Sequence, residues 1–453
     1  MARPKRRKRP FLAVIFIFFL FLAGYLLLPA GIADEGRLPD QTGNLPENPP
    51  PSQPEFVDIT IASVGDVLIH NTLYFAAYDP ATGTYDFKDQ FQHVKPYLAD
   101  ADITIANLET VLAGPEVGYA SYPRFNTPDS VVTALKDAGV DILTAANNHR
   151  MDQGVSGFYR TIRAVRNEGL DIIGVKAEEK DKTYVIKDIK GVKVAFLNFG
   201  YSYPRWDGSL DINGLILPVD MTGLLDNFDP QDVEKSLLNM EGKIKKARAD
   251  GAELIIMFLH WGDEYQRQPN DFQKELASKL TALGVDAIFG GHPHVLQPAV
   301  YLLSPESQKV PVFYSQGNFI SDQRLETVDD IYTEQGIIAK VTFRIQLGQG
   351  DVGQVGQKNR PPVPPVPSPP VPTEAASEKN AGQRVLAKEV LKAEALPTWV
   401  NKKISGNRFF YEVIPVEEAL SSPEKFPLLQ EKDLERIRFC RETVEQIGAG
   451  LKD

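Results

Sequence analysis

Short apolar runs alternate with longer amphipathic stretches from Phe56 onward. The runs are rich in Val, Ile and Phe, which is typical of buried strands, and the longer stretches repeat apolar residues at helical spacing. This alternation predicts an α/β layered fold in which helices cover β-sheets. Three of the candidate strands read VKVAFLNF, VPVFYSQGNF and IIAKVTFRI.

Four amphipathic stretches carry the start and stop signals of helices. Asp129, Asp229 and Asn270 are predicted N-caps, because their side-chain oxygens can accept hydrogen bonds from first-turn amides. A glycine closes each stretch, and glycine is common where a helix ends in the left-handed conformation. The predicted helices, each including its closing glycine, span residues 129–139, 154–169, 229–251 and 270–284.

An uncharged apolar run occupies residues 11–28 and follows a basic segment at residues 1–10. The run is near the lower length limit for a helix that crosses a bilayer. Because the basic residues precede it, we expect a single-pass transmembrane anchor in the cell membrane with the following domain extracytoplasmic. The small residues at 31–33 leave cleavage of this anchor open. Residues 29–55 are rich in Pro, Gly and polar residues and are predicted to form a disordered tether.

A proline-rich segment interrupts the second half of the chain. Residues 361–372 hold eight prolines in twelve positions, a composition that favours an extended polyproline helix and cannot join a sheet ladder. Strand-like sequence resumes after it but is short for an independent core, so we interpret 348–383 as an insertion within one domain at 56–420. The alternative is that this proline-rich segment separates two domains. Residues 421–453 are predicted to form a C-terminal helical segment.

Composition narrows the classes of function. The chain has 453 residues, 43% of them hydrophobic, and a formal net charge of −11 although its first ten residues are strongly basic. An acidic body argues against nucleic-acid binding, which usually requires a basic face. The single cysteine, Cys440, excludes an internal disulfide and is expected to be a buried apolar side chain.

Potential metal ligands follow several of the strand-like runs. Strands that end at one edge of a sheet lie about 4.8 Å apart, so the loops that leave them can gather distant residues in one cluster. Imidazole, carboxylate and amide groups in one pocket suit a divalent metal. The predicted ligands are Asp66, His70, Glu109, Asn148, His260, His292 and His294.

The pair His292 and His294 is the most specific part of this pattern. On a regular strand they would be constrained by the alternation of side chains, but the turn Gly290-Gly291-His292-Pro293-His294 allows both to face neighbouring metal positions. Glu109 is predicted to bridge two cations, with a solvated helix cap as the alternative. His149 follows Asn148 and is expected to donate a proton.

These blocks resemble the bacterial capsule-synthesis CapA family, whose domain is similar to the calcineurin-like metallophosphoesterases. The matching pieces fall between residues 57 and 345, and include VGDVLIH, ADITIANLET, LKDAGVDILTAANNH, LHWGDEY, GVDAIFGGHPHVLQP and SQGNFISDQ. The resemblance implies a calcineurin-like metallophosphoesterase fold and two divalent metal ions. One ion would take Asp66, Glu109, His294 and His70, and the other Glu109, Asn148, His260 and His292.

Two departures from the metallophosphoesterase pattern are visible in the sequence. Its usual Asp-x-His is stretched here to Asp66 and His70, and Glu109 stands where a bridging aspartate is usual. Mixed nitrogen and oxygen ligands suit Mn, Fe and Zn alike, so the identity of the metal stays open. By the same resemblance, His149 would protonate a leaving group.

The resemblance implies a role in making, exporting or anchoring an anionic capsular polymer such as poly-γ-glutamate. Membrane-bound polymer synthase or exporter subunits and the polymer itself would then be partners. The alternative is a metal-dependent phosphoesterase or related hydrolase acting on the cell envelope. Whether the protein is an enzyme stays open at this point.

Overall fold

A computed structural model describes residues 55–349 and 383–452. The predicted basic segment, the anchor at 11–28 and all but the last residue of the predicted tether lie outside these ranges. Within the described ranges, no helix combines the length and apolar character needed to cross a membrane.

The described residues form twenty strands and ten α-helices. The strands are β1 (Glu55–Val67), β2 (Tyr78–Asp79), β3 (Thr84–Tyr85), β4 (Ile103–Leu108), β5 (Ile142–Thr144), β6 (Asp171–Ile173), β7 (Val185–Ile189), β8 (Val192–Tyr201), β9 (Tyr203–Pro204), β10 (Leu210–Ile212), β11 (Leu215–Leu217), β12 (Asn227–Phe228), β13 (Leu254–His260), β14 (Ala287–Gly291), β15 (Leu296–Leu303), β16 (Lys309–Gln316), β17 (Asn318–Ile320), β18 (Gln335–Gln349), β19 (Gln383–Ser405) and β20 (Arg408–Pro415). The helices are α1 (Asn71–Ala77), α2 (Lys88–Phe91), α3 (Lys95–Ala99), α4 (Ser130–Ala138), α5 (Gly154–Asn167), α6 (Val233–Ala249), α7 (Asp271–Ala282), α8 (Leu325–Val328), α9 (Val416–Ser421) and α10 (Glu431–Ile447).

Two mixed sheets form the centre of the fold. The first has the strand order β20-β19-β18-β1-β4-β5-β6, with β17 also paired to β1, and the second has the order β12-β8-β13-β14-β16-β15, with β7 paired to β8. The strands β1, β4, β5 and β6 run parallel to one another. In the second sheet β8, β13, β14 and β16 are likewise parallel. Parallel strands need crossover connections. Helices supply most of them, whereas β15 connects β14 to β16.

Apolar side chains divide among three layers of core. One cluster lies between the sheets and contains Ile61 and Ile105 from the first sheet and Phe258 and Phe289 from the second. A second cluster packs α4 and α5 against the outer face of the first sheet, and a third packs α6 and α7 against the second. The alternation of strand and helix in the sequence is therefore confirmed as a layered α/β arrangement.

The helix boundaries agree with the predicted stretches except at the start of α6. Asp129 precedes α4 as predicted but makes no side-chain capping hydrogen bond, because its carboxylate binds Arg160 instead. Asn270 caps α7 through a reciprocal capping box with Gln273. The predicted cap Asp229 is wrong, since α6 begins three residues later and Asp232 accepts the hydrogen bond from the Lys235 amide. Asp229 instead accepts a hydrogen bond from the Gln231 amide, so it stabilises the turn that leads into the helix.

The ends of the predicted insertion at 348–383 lie in two paired strands. Strand β18 ends at Gln349, β19 begins at Gln383, and these two residues are partners in an antiparallel ladder. The proline run itself lies outside the described residues. In the predicted C-terminal segment, α10 packs its buried Ile437 and Cys440 into the core between the sheets.

A close approach of backbones positions the end of β1. Strand β17 pairs with β1 beside Asp66, and the Asp66 amide donates a hydrogen bond of 3.0 Å to the Gly317 carbonyl. A Cβ atom on Gly65 would lie 2.0 Å from that carbonyl oxygen. Glycine at position 65 is therefore what allows the two strands to meet at the end of β1.

We expect Gly65→Ala to destabilise the fold by more than about 2 kcal/mol, because the new methyl group would force β1 away from Gly317. Gly242→Ala is the matched control, since Gly242 lies in α6 with open space around it, and alanine there should stabilise the helix by up to about 1 kcal/mol. Urea unfolding of both variants measures the difference. Equal stability of the two would contradict the steric argument.

Candidate metal centre

Six of the seven predicted ligands meet where strands of both sheets end. Asp66 lies at the end of β1, Glu109 follows β4, and Asn148 follows β5. His260 ends β13, and His292 and His294 follow β14. All six side chains are buried. Parallel strands place their carboxyl ends at one edge, which is why residues far apart in the sequence converge here.

Glu109 lies at the centre of the cluster. Its Oε1 atom is 3.4 Å from His260 Nε2 and 3.8 Å from His294 Nε2. Among the described residues, three sets of side chains have ligand atoms close enough to surround one ion each, and two of these sets contain Glu109. These two are Glu109, His260 and His292, and Asp66, Glu109 and His294.

The Asp66 carboxylate joins the two sheets. Its Oδ1 accepts a hydrogen bond of 2.7 Å from Asn107 on the neighbouring strand β4. Its Oδ2 lies 3.2 Å from the backbone amide of His292 and 3.1 Å from His294 Nδ1. A Cβ atom on Gly291 would approach Asp66 Oδ1 to 2.5 Å, so the second glycine of the turn leaves room for this carboxylate.

An unusual backbone turns both histidines of the 290–294 segment toward the cluster. His292 and His294 have φ angles of 98° and 57°, in the left-handed region that non-glycine residues seldom adopt. Such conformations cost about 1–3 kcal/mol each and are concentrated at functional sites. The turn therefore lets His292 and His294, which are two positions apart, face the same pocket.

Asn148 and His260 place further potential ligand atoms beside Glu109. Asn148 Oδ1 lies 2.7 Å from His260 Nε2, the same nitrogen that faces Glu109. On the other side of the ring, His260 Nδ1 lies 3.3 Å from Asn107 Nδ2. An amide oxygen, an imidazole nitrogen and a carboxylate oxygen are thus within a few ångströms of one another.

The carboxylates are electrostatically strained without a cation. Burial, together with repulsion from Asp66 and Glu264, raises the pKa of Glu109 well above its usual range. Burial alone would raise the pKa of Asp66 too, but hydrogen bonding and charge attraction from His294 and the Asn107 hydrogen bond hold it lower than usual. The pKa values of the two neighbouring acids are therefore shifted in opposite directions.

The pKa values of the histidines are also shifted in different directions. Burial lowers the pKa of His260 and of His292 well below the usual value, so both rings are neutral at pH 7 and have a lone pair available. Burial would also lower the pKa of His294, but its contact with Asp66 outweighs this and raises it. Neutral imidazole is the form that binds metal.

Two buried atoms point to a missing ligand. Glu109 Oε1 and His292 Nδ1 are enclosed and have no hydrogen-bond partner among the described residues. Buried polar atoms are almost always paired, and these two belong to the same set of converging side chains. The donor atoms and their spacing therefore fit a divalent cation, and the buried histidine and acidic groups are consistent with a metal site.

His149 lies beside the cluster in a fixed orientation. Its Nδ1 is 2.8 Å from the Asp152 carboxylate, and both side chains are almost fully buried. The ring of Phe125 packs edge-on against it with centroids 4.8 Å apart. A carboxylate at Nδ1 fixes the tautomer, which leaves Nε2 for chemistry. Asp152 was not among the predicted site residues, although its position three residues after His149 was a usable signal for this contact.

His70 is the predicted histidine ligand that the structure leaves outside all three ligand sets. Its Nδ1 accepts a hydrogen bond of 3.2 Å from the Asp322 amide and lies 3.3 Å from the Leu68 carbonyl. Burial lowers the pKa of His70 to about 4, so the ring is neutral at pH 7. Its assignment as a metal ligand stays a prediction.

A buried network from the C-terminal strands holds the loop around His70. The Asp322 carboxylate accepts hydrogen bonds from Lys402 Nζ and Tyr411 Oη, each at 2.6 Å, and from Thr72 Oγ1 at 2.9 Å. Lys402 lies on β19 and Tyr411 on β20. Strands that follow the proline run therefore contribute to the wall of the site.

Two further residues lie closer to the cluster than the strand ends alone suggest. Asn318 Oδ1 is 3.1 Å from His294 Nδ1, and its amide nitrogen bonds the His294 carbonyl. Glu264 is exposed, yet its carboxylate can reach a common ion with His292 and His294. Asp263 beside it accepts a hydrogen bond from Asn270 instead.

Comparison with known proteins assigns the chain to a defined family. The family described as bacterial capsule synthesis protein PGA_cap matches residues 60–323, a range that contains all the predicted ligands. The chain belongs to this family, and the predicted resemblance to CapA proteins is confirmed.

Two curated relatives carry the CapA name. The chain is 32% identical over 271 residues to the capsule biosynthesis protein CapA of Bacillus anthracis, across 58% of this chain and 60% of that protein. It is 28% identical over 330 residues to the PGA biosynthesis protein CapA of Bacillus subtilis strain 168, across 71% of this chain and 74% of that protein. The match thus spans less than two thirds of the Bacillus anthracis protein.

One solved structure with a likeness to this chain is the calcineurin-like phosphoesterase YfkN from Bacillus subtilis. The alignment covers 85% of this chain and 100% of that chain, with 18% sequence identity and a TM-score of 0.35. The layered α/β architecture rests on the described strands and helices themselves. The more specific calcineurin-like assignment stays a prediction.

We expect Glu109→Gln to stabilise the metal-free protein and to abolish its stabilisation by metal. A carboxyl group with a raised pKa in the folded state binds protons more tightly when folded, so stability falls as pH rises above its unfolded pKa. Metal-free wild type should therefore lose more stability than the variant between about pH 5 and 8, by about 1–3 kcal/mol. Added Mn²⁺ should raise the Tm of wild type alone.

The control for this measurement is Glu435→Gln, an exposed carboxylate on α10. Thermal unfolding with and without a chelator should give the wild-type pH dependence in that variant. If Glu109→Gln behaves like Glu435→Gln, Glu109 is not the strained centre of the cluster.

We also expect Lys402→Met to destabilise the protein by about 3 kcal/mol, because it leaves the Asp322 carboxylate buried without its cation. Lys392→Met is the matched control on the same strand, since Lys392 is well exposed and pairs with Glu394. Urea unfolding should show a loss within about 1 kcal/mol for the control. Equal losses in both variants would contradict a role for the buried network.

Proposed function

We propose that this protein takes part in making, exporting or anchoring an anionic capsular polymer such as poly-γ-glutamate, through a divalent-metal centre. Membership of the capsule synthesis family supports a role with such a polymer. The observation that carries the metal centre is the buried convergence of three neutral or acid-paired histidines with Asp66 and Glu109. Without a cation, burial and repulsion from Asp66 disfavour the charged form of Glu109.

The chain's own residues are suited to two ions. Glu109 would be shared, with Asp66 and His294 on one side and Asn148, His260 and His292 on the other. His70 would complete the first set after a change of its hydrogen bonding. When bound, Mn, Fe or Zn ions would act as Lewis acids toward an anionic oxygen of the substrate.

His149 is the proposed proton donor. Asp152 holds its Nδ1, so the opposite nitrogen is free to give a proton to a leaving group or to stabilise its charge. The edge-on contact with Phe125 and the deep burial keep the ring from rotating. This role applies where a bond of the polymer is cut or transferred, because only then does a leaving group form.

The proposed location is the outer side of the cell membrane. The apolar run at 11–28 would be the single-pass anchor, and the basic residues before it would keep the N-terminus in the cytoplasm. Polymer synthase or exporter subunits in the same membrane are the proposed partners. The acidic composition of the chain supports no role in nucleic-acid binding.

A second candidate is a metal-dependent phosphoesterase or related hydrolase acting on cell-envelope substrates, within a calcineurin-like fold. The observation that favours it is the pair of ligand sets sharing Glu109. Two cations about 3.5–4 Å apart can hold both oxygens of an in-line phosphoryl displacement. The two candidates differ in whether a phosphoester is turned over.

The test uses the full chain in a polymer-producing Bacillus that lacks its own CapA relative. Wild type should restore surface polymer, whereas Asp66→Asn and His292→Ala should lower the yield by at least about tenfold, since each removes a ligand. The control is Lys245→Ala, because Lys245 is exposed on α6. Full polymer yield in both cluster variants at normal protein levels would contradict a metal-dependent role.

The purified wild-type and variant proteins distinguish the second candidate function from the first. Purified protein is analysed for bound metal and assayed with bis(p-nitrophenyl) phosphate in the presence of Mn²⁺. Turnover that is lost in His149→Ala while metal content persists would favour the hydrolase. Bound metal with no turnover, together with restored polymer, would favour the binding or assembly role.

A further inference from the structure

A polar cavity of about 460 Å³ opens beside the end of β8. It lies between the small sheet β9–β11 and the first turns of α6, and we call it the β8 pocket. No predicted metal ligand lines it. The lining side chains used below are Ser202, Arg205, Asp229, Lys235 and Asn239.

An unpaired hydroxyl in the wall of the β8 pocket indicates a missing partner. Ser202 is 1% exposed, and its Oγ has no hydrogen-bond partner among the described residues. Its backbone amide is already bonded to the Phe228 carbonyl, which fixes its position. Since buried polar groups are nearly always satisfied, this hydroxyl needs a ligand or an ordered water.

The charges around the β8 pocket select an anion. Arg205 has its nearest carboxylate, that of Asp211, only at 3.9 Å. The Lys235 ammonium forms no ion pair with any residue that the structure describes, and it lies in the first turn of α6, where the helix dipole also favours negative charge. Among the lining residues, these two cations face one carboxylate, Asp229, and Asp211 partly offsets Arg205 from outside the lining. The small positive excess matches a single carboxylate better than a doubly charged phosphate.

The β8 pocket is adjacent in the chain to the metal centre. Tyr201 precedes Ser202, and its ring lies 4.9 Å from that of His292 between centroids. Consecutive Cα atoms are about 3.8 Å apart. The end of β8 therefore contacts the metal centre through Tyr201 and the β8 pocket through Ser202.

We propose that the β8 pocket binds a carboxylate of an anionic polymer, one or more units away from the group held at the metal centre. Arg205 and Lys235 supply the charge, and the Ser202 hydroxyl donates a hydrogen bond. This inference rests on the proposed role in polymer handling and names the class of ligand, a chain bearing carboxylates at regular intervals.

The test measures binding of a fluorescent γ-linked glutamate oligomer to the full chain in detergent with metal present. Arg205→Gln combined with Lys235→Gln should weaken binding by about tenfold or more, as loss of charge-assisted hydrogen bonds predicts. The charge-matched control is Lys245→Gln combined with Lys246→Gln, which lie on α6 outside the pocket. Metal content should be unchanged in both.

Ser202→Ala gives a second readout that a structural hydroxyl would not. Because the Oγ has no partner to lose, the variant should keep the wild-type unfolding midpoint while its affinity for the oligomer falls. A lower midpoint would mean that the hydroxyl is structural, and would overturn its assignment as a ligand group.

Two competitors identify the chemistry of the ligand. An oligomer with amidated carboxyls should bind wild type and the double variant equally weakly, and inorganic phosphate should compete poorly. Strong competition by phosphate, or equal oligomer binding by wild type and the double variant, would overturn the pocket assignment alone. Failure of wild type to bind any glutamate oligomer would contradict the proposed polymer role as well.

Discussion

The contact on which the site depends most is the one that Asp66 makes with both sheets. Its carboxylate receives a hydrogen bond from Asn107 on the neighbouring strand of the first sheet and approaches the His292 amide and the His294 ring beyond β14 of the second. Backbone geometry is adapted to it on each side. Gly65 lets β1 meet Gly317, and Gly291 leaves room for the carboxylate. The two edges are thereby kept at the separation that a shared Glu109 can span.

The architecture follows from local patterns to a considerable extent. The β-branched runs became strands, four amphipathic stretches became helices, and the Gly-Gly-His-Pro-His segment became a turn that presents two imidazoles. These features are local because they depend on residues a few positions apart. The error at Asp229 has the same origin, since Asp232, three positions later, is also a residue type that caps helices and is the one that caps α6.

What the sequence could not reveal were contacts between distant segments. Asn318 holds His294, and Lys402 and Tyr411 hold Asp322, but nothing near these residues in the chain indicates their partners. His70 illustrates the limit in another way. Its spacing from Asp66 suggested an altered ligand, and the structure turns its Nδ1 toward the Asp322 amide. The small sheet β9–β11 was also missed, because strands of two or three residues carry too short a pattern to recognise.

The pairing of Gln349 with Gln383 has a practical meaning for work with this protein. The chain leaves and re-enters the sheet at opposite members of one antiparallel pair. Whatever sequence joins those two points, the ladder on either side stays the same, and so does the distance to be closed. This junction is a natural place to exchange the native connection for an affinity tag or a reporter domain, well separated in the topology from the strand ends that carry the histidines.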